Sequence, residues 1–347
     1  MTGKGFFVDV NGGAAPSIDN PGGLALQIPL TKAELFTGIA ASLFAFLTVF
    51  LVPVAGIFVS IFTPLPTLLS IYRFGHPAGY WIPGSVLLLG LPLMFYLGAV
   101  LDAPYLLAML LLGGLLGEGM RRRWSIDKTI GIAAGAAFLA GALAFWATTG
   151  GLTAQFWSSL ENELQESIVA ALQVYRNAGI DFDQPATLEA IRKMLPIFIR
   201  MLPGAAFVSA LLITWLNALV ARRFCGVRGL PLPEWPQWSH WKAPELLVWP
   251  TIVAGTLLLL PSMGIGLIAA NLLLGLSAVY LLQGLAIAVF YLHHWHVPRL
   301  LRAIIYALLL LQQFATLLLI LLGLFDMWFN FRRLPPTGAH TNVPEAS

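Results

Sequence analysis

IGLIAANLLLGLSAVYLLQGLAIAVFYL, residues 265–292, is an apolar run without a single charge. At about 1.5 Å per residue it outreaches the roughly 30 Å hydrocarbon core of a bilayer, so it reads as a membrane-crossing helix. Its polar residues do not share a side. At about 100° per residue, Asn271, Ser277, Tyr280 and Gln283 fall near 0°, 240°, 180° and 120°. No lipid-facing sector is free of them, and the helix is expected to be surrounded by others.

Composition extends this reading to the whole chain. Of 347 residues, 58% are hydrophobic and only 10% charged, and the mean hydropathy is +0.82. These values describe an all-α, polytopic transmembrane helix bundle. The single Cys225 excludes an intrachain disulfide framework. The formal charge of +3 comes from Lys and Arg clustered beside apolar segments, which orienting a membrane protein explains, and no nucleic-acid signature accompanies them.

About nine hydrophobic segments are expected within 34–333, between a polar tail at 1–33 and an unstructured one at 334–347. The first is Leu35 to Val54. Ile57 to Ile71, interrupted by Pro64 and Pro66, reads as a broken or re-entrant helix. Ser85 to Leu101 and Tyr105 to Leu116 meet at Asp102-Ala103-Pro104. Gly113 and Gly117, and again Gly131 and Gly135, have the small-xxx-small spacing that lets helix backbones approach.

Residues 150–193 form a polar insertion. Phe156, Leu160, Leu164, Ile168, Leu172 and Tyr175 recur at helical spacing, with Glu161, Glu163 and Glu166 off that stripe. Such an amphipathic helix lids a site or lies on the membrane surface, and the surface role is preferred.

Placing the amino terminus in the cytoplasm puts Arg73, Arg121 to Lys128, Arg222 to Lys242, and Arg299 with Arg302 on that side, eleven of the nineteen basic residues. Nine crossings then leave Arg332 and Arg333 outside, against the same rule. Arg121, Arg122, Arg123, Arg222 and Arg223 are the candidate surface for lipid or a protein partner, with Glu118 one turn before Arg122. Asp326 is expected to pair with Arg332 or Arg333.

His293, His294 and His296 project in different directions and lack a companion carboxylate or cysteine, so an interfacial loop is expected there rather than a metal site. There is no HExxH, no pair of intramembrane aspartates and no Gly-x-Ser-x-Gly, which argues against an enzyme; no cofactor is expected.

Three motifs carry a resemblance: Trp241-Lys-Ala-Pro-Glu-Leu-Leu-Val-Trp249, Asn271 to Gly284 ending Tyr-Leu-Leu-Gln-Gly, and Gly323-Leu-Phe-Asp-Met-Trp-Phe-Asn-Phe-Arg-Arg333. Their order and spacing resemble those of the YybS-like family of bacterial membrane proteins. That family is in turn similar in pattern to the substrate-capture subunits of energy-coupling-factor transporters. The resemblance implies a bacterial inner-membrane protein with an outward-opening small-molecule site. Asn271, Gln283 and Gln312 would hydrogen-bond the ligand, Tyr280 would stack on it, and a separate protein would supply the energy. The alternative is a non-transporting scaffold or assembly factor of an envelope complex, in which the same amides only join helices. An outward cavity favours capture, and a closed bundle favours the scaffold.

Overall fold

The structure is a computed structural model and describes residues 30–99, 102–151, 154–177, 179, 184–231 and 235–333. Both terminal tails expected above lie outside the described residues, except that Leu30 to Ala33 lead into the first helix. The described residues form α-helices and short 3-10 turns, with no strand among them.

α1 (Lys32–Leu51) opens on a capping box: the Thr31 hydroxyl accepts from the Glu34 amide while the Glu34 carboxylate accepts from the Thr31 amide. α2 (Pro53–Ser60) and α3 (Pro64–Phe74) each start on proline, at the position where a missing N–H leaves nothing unbonded. Gly56–Phe74 together make a segment of crossing length, so the doubtful run is a continuous span candidate. α4 (Trp81–Tyr96), α5 (Ala103–Arg121) and α6 (Ile126–Thr149) follow.

α7 (Ala154–Asn177) is the amphipathic helix of the insertion. Phe156, Leu160, Leu164, Ile168 and Leu172 are half-buried, and Glu163 and Glu166 are exposed. α8 (Gln184–Val227) runs for 44 residues from the insertion through the apolar segment that follows it, with Pro196 and Pro203 inside it. α9 (Val248–Leu258) has only 11 residues, and α10 (Met263–His294) has 32. α11 (Arg299–Leu311) and α12 (Gln313–Phe329) are bent by 95° where a single segment was expected.

Among the described residues, six helices are long and apolar enough to cross a bilayer, or seven counting the bent pair once. Of the nine expected segments, those of α1 and of the 11-residue α9 are not among these seven, and the last is the bent pair.

The core joins α3, α5, α6, α8 and α10 through Leu68, Leu112, Leu116, Ala133, Leu211 and Leu282. Gly113 and Gly117 sit against the backbone of Pro64 and Leu68, where a Cβ would collide with carbonyl oxygens. Gly131 and Gly135 face open space. α10 is enclosed only in its second half, Gly275 to Leu292; Ile265, Ile268 and Leu272 are exposed. Within the enclosed half, Ser277 bonds the Leu274 carbonyl of its own helix.

The arginine clusters meet at one end of the bundle. Glu34 pairs with Arg73 at 2.9 Å, and Gly75 lies beside Arg121. Trp235 donates to the Trp124 carbonyl at 2.8 Å, Trp241 donates to Asp127 at 2.5 Å, and Arg332 donates to the Ser239 and Trp241 carbonyls at 2.7 and 2.9 Å. α11 leaves this end directly after α10, and α12 returns to it. The last apolar segment is therefore a re-entrant hairpin, and Arg332 lies on the side of the other arginines. This corrects the conflict that nine crossings created.

Candidate functional site

The expected ligand contacts on α10 are occupied by protein. The Asn271 carbonyl oxygen accepts from the Gly204 amide at 2.6 Å, and its NH2 donates to the Arg200 and Leu267 carbonyls at 2.9 Å each. Arg200 C=O and Gly204 N–H are separated by the i to i+4 spacing of one rung of a helical ladder, at the place where Pro203 interrupts α8. The side-chain amide thus braces both sides of a proline-weakened turn. A Cβ on Gly204 would lie 2.7 Å from the Asn271 oxygen, so glycine is what admits this approach.

Gln283 is fully buried in a second closed network. Its oxygen accepts from the Ala243 amide at 3.2 Å and its NH2 donates to Asp326 at 3.0 Å. Asp326 also receives the Phe331 amide at 2.8 Å and pairs with Arg332 at 2.8 Å, both side chains having no exposure. The expected pair is thus Asp326 with Arg332. Buried Tyr280 shares a 3.2 Å hydrogen bond with the Thr251 hydroxyl, and Gln312 is exposed at the α11–α12 break. These four residues occupy separate places and line no common cavity.

The basic cluster divides in the same way. Arg121 and Arg122 both bind Glu118, at 3.0 and 2.5 Å, while Tyr80 reaches its other oxygen at 3.4 Å. Arg222 donates to the carbonyls of Pro236 and Trp235 and pins the loop after α8. Arg123 and Arg223 are exposed. Among the described residues no group of three or more His, Cys, Asp or Glu side chains could hold a metal ion, the His293 to His296 stretch included.

A cavity of about 490 Å³ lies elsewhere, toward the end opposite the arginines, between α5, α6, α7 and α8. Pro104, Tyr105 and Met109 come from the start of α5, and Phe138, Gly141 and Phe145 from the later part of α6. Leu202, Pro203, Ala206 and Ile213 come from α8, and Phe156, Trp157 and Leu160 from the first turns of α7. Rings interlock around it: Phe138 meets Phe207 edge-on at 5.6 Å, and Phe145 meets Phe156 at 5.8 Å. The start of α7 therefore covers a hollow as well as packing on the bundle. A second hollow shares Trp157 and Pro203 with the first and adds Ser158, Glu161 and Arg200.

Neither the cavity nor Arg200 is among the expected site residues. Arg200 stands in Leu195-Pro-Ile-Phe-Ile-Arg-Met-Leu202, a lone cation in an apolar run. That signal lies just past the end of the polar insertion at 193. The cavity wall is mostly apolar residues from four helices, joined by Asp102 and Ser209, and only their assembly reveals it.

No curated protein and no solved structure matches this chain. Residues 39–327 match a family model described as a predicted membrane protein, a span that takes in the cavity wall, Arg200, Asn271, Gln283 and Asp326. The chain therefore belongs to the DUF2232 family of predicted membrane proteins.

Proposed function

We propose that this protein is a non-catalytic, membrane-embedded capture protein that takes up a small molecule with an apolar body at the end opposite its arginines. The observation that carries this reading is the cavity of about 490 Å³ covered by α7. Its size lies in the range of about 300–1,000 Å³ usual for small-molecule sites, and it is concave, ring-lined and open to one side. The positive-inside rule orients the arginine end and the amino terminus toward the cytoplasm, which puts the cavity toward the outer side. The resemblance of the carboxyl third to YybS-like proteins, and through them to transporter capture subunits, favours the bacterial inner membrane and an energising partner at the arginine end.

Asn271, Tyr280 and Gln283 take no part in binding under this reading. They hold helices together, as the scaffold alternative has them do, and the closed network around Gln283 is the observation in that alternative's favour. Native mass spectrometry of the full chain released gently from its membrane tests the two. A small molecule should be retained by the wild type and lost on Ala206→Phe or Ala142→Phe, at two positions of the cavity wall. Stable protein partners with no retained molecule would overturn capture in favour of the scaffold.

A further inference from the structure

The second hollow, which shares Trp157 and Pro203 with the cavity, is bordered by a cation without a protein counter-ion among the described residues. Arg200 is an exposed residue of the long helix segment Leu188–Val227, and among the described residues its guanidinium makes no ion pair and no hydrogen bond. The arginines that have a carboxylate partner among the described residues, Arg73, Arg121, Arg122 and Arg332, are all at the opposite end. Glu161 borders the same hollow and is not paired with Arg200. The brace from Asn271 to the Arg200 carbonyl fixes the backbone from which this side chain projects.

The wall of the cavity is mainly hydrocarbon and aromatic ring, with Asp102 its one acidic residue. Ser209 is one of its few polar groups, and its hydroxyl donates to the Ala205 carbonyl of its own helix. A ligand matching both parts has an apolar chain for the interior and an anionic group for Arg200. Guanidinium groups bind carboxylate and phosphate through paired N–H donors, and the attraction strengthens beside a low-dielectric wall.

We infer that the captured molecule is an amphiphile, its hydrocarbon chain in the α5–α8 cavity and its carboxylate or phosphate head on Arg200. This rests on the capture reading and specifies its ligand class. The same chemistry is offered by a free long-chain acid and by an anionic phospholipid of the bilayer.

Binding of palmitate, phosphatidylglycerol and uncharged hexadecanol to the delipidated full chain in detergent tests it. The wild type should bind at least one anionic probe about tenfold or more tighter than hexadecanol. Palmitate alone would identify a free acid as the source, and phosphatidylglycerol a bilayer lipid. Arg200→Gln should remove that preference and leave hexadecanol binding unchanged, whereas Arg200→Lys should keep most of it. Glu161→Gln, which takes a like charge from beside the head, should tighten the anionic probes several-fold, a gain that misfolding cannot produce. Ala206→Phe should abolish binding of all three. Equal affinity for charged and uncharged probes, or an Arg200→Gln variant that keeps the preference, overturns the amphiphile assignment and leaves the cavity in place. Binding of all probes untouched by Ala206→Phe, or no binding at all, overturns capture itself.

Discussion

Asn271 shows what an amide at bilayer depth is for in this molecule. Pro203 supplies no N–H to the α8 ladder, and the turn that contains it is bridged instead by a side chain from α10. Replacing Asn271 by leucine removes the brace from Gly204 N–H and Arg200 C=O in an apolar setting. The expected cost is about 1–2 kcal/mol, between the roughly 0.6 kcal/mol typical of side-chain hydrogen bonds in membranes and the larger penalty of an orphaned backbone group. Reversible unfolding in mixed micelles measures it, and a stability equal to wild type would show that the brace is dispensable. The sequence allows part of this to be read in advance. The angular spread of Asn271 and Gln283 on one helix already implied different neighbours, and Asp326 was legible as a partner for one of two arginines. What could not be read is that a proline and a glycine on another helix, far away along the chain, create the gap that Asn271 fills. Arg200 escaped notice for a related reason: its meaning depends on having no counter-ion, which is a property of the space around it.

At the level of helices, a sequence spacing acquires meaning only when something stands opposite it. Gly113-xxx-Gly117 and Gly131-xxx-Gly135 are indistinguishable as motifs. The first pair lies on α5 where the α3 backbone passes close, so that a Cβ on Gly117 would meet the Leu68 carbonyl; the second pair, on α6, meets nothing. Gly117→Val should therefore push α3 from α5 at a cost of about 1–3 kcal/mol, the usual range for overpacking, while Gly131→Val should stay within about 0.5 kcal/mol of wild type. Thermal unfolding of the two variants side by side decides this, and equal midpoints would contradict the close contact. The same dependence on a partner explains α11 and α12. Gly284 and Gly323 bring α10 and α12 so close that a Cβ on either would overlap a carbonyl of the other helix. This contact fixes α12 along α10, and α11 must then double back beside it, so a run long enough to cross turns around at Gln312 instead. Apolar length was legible in the sequence; the direction taken was not.

For the molecule as a whole, that turn decides which side the carboxyl terminus occupies. Apolar segments counted as crossings would carry Arg332 and Arg333 away from the other basic clusters, whereas the hairpin returns them. Arg332 is bonded to the loop of Ser239 and Trp241, Trp241 to Asp127 at the start of α6, and Arg222 to the carbonyl of Trp235. Helix ends so joined cannot lie on opposite faces of a bilayer some 30 Å thick. With Cys225 replaced by alanine, single cysteines at the exposed positions Arg123 and Arg333 should react with an impermeant maleimide from the same side. A cysteine at Ser158, on α7 beside the cavity, should react only from the other. If the rule that places basic residues inside holds, Ser158→Cys is labelled in intact cells and the other two only after the membrane is opened. Labelling of Arg333→Cys together with Ser158→Cys in intact cells would mean that α11 and α12 cross after all, and the bonds tying Arg332 to the Trp241 loop could not then exist.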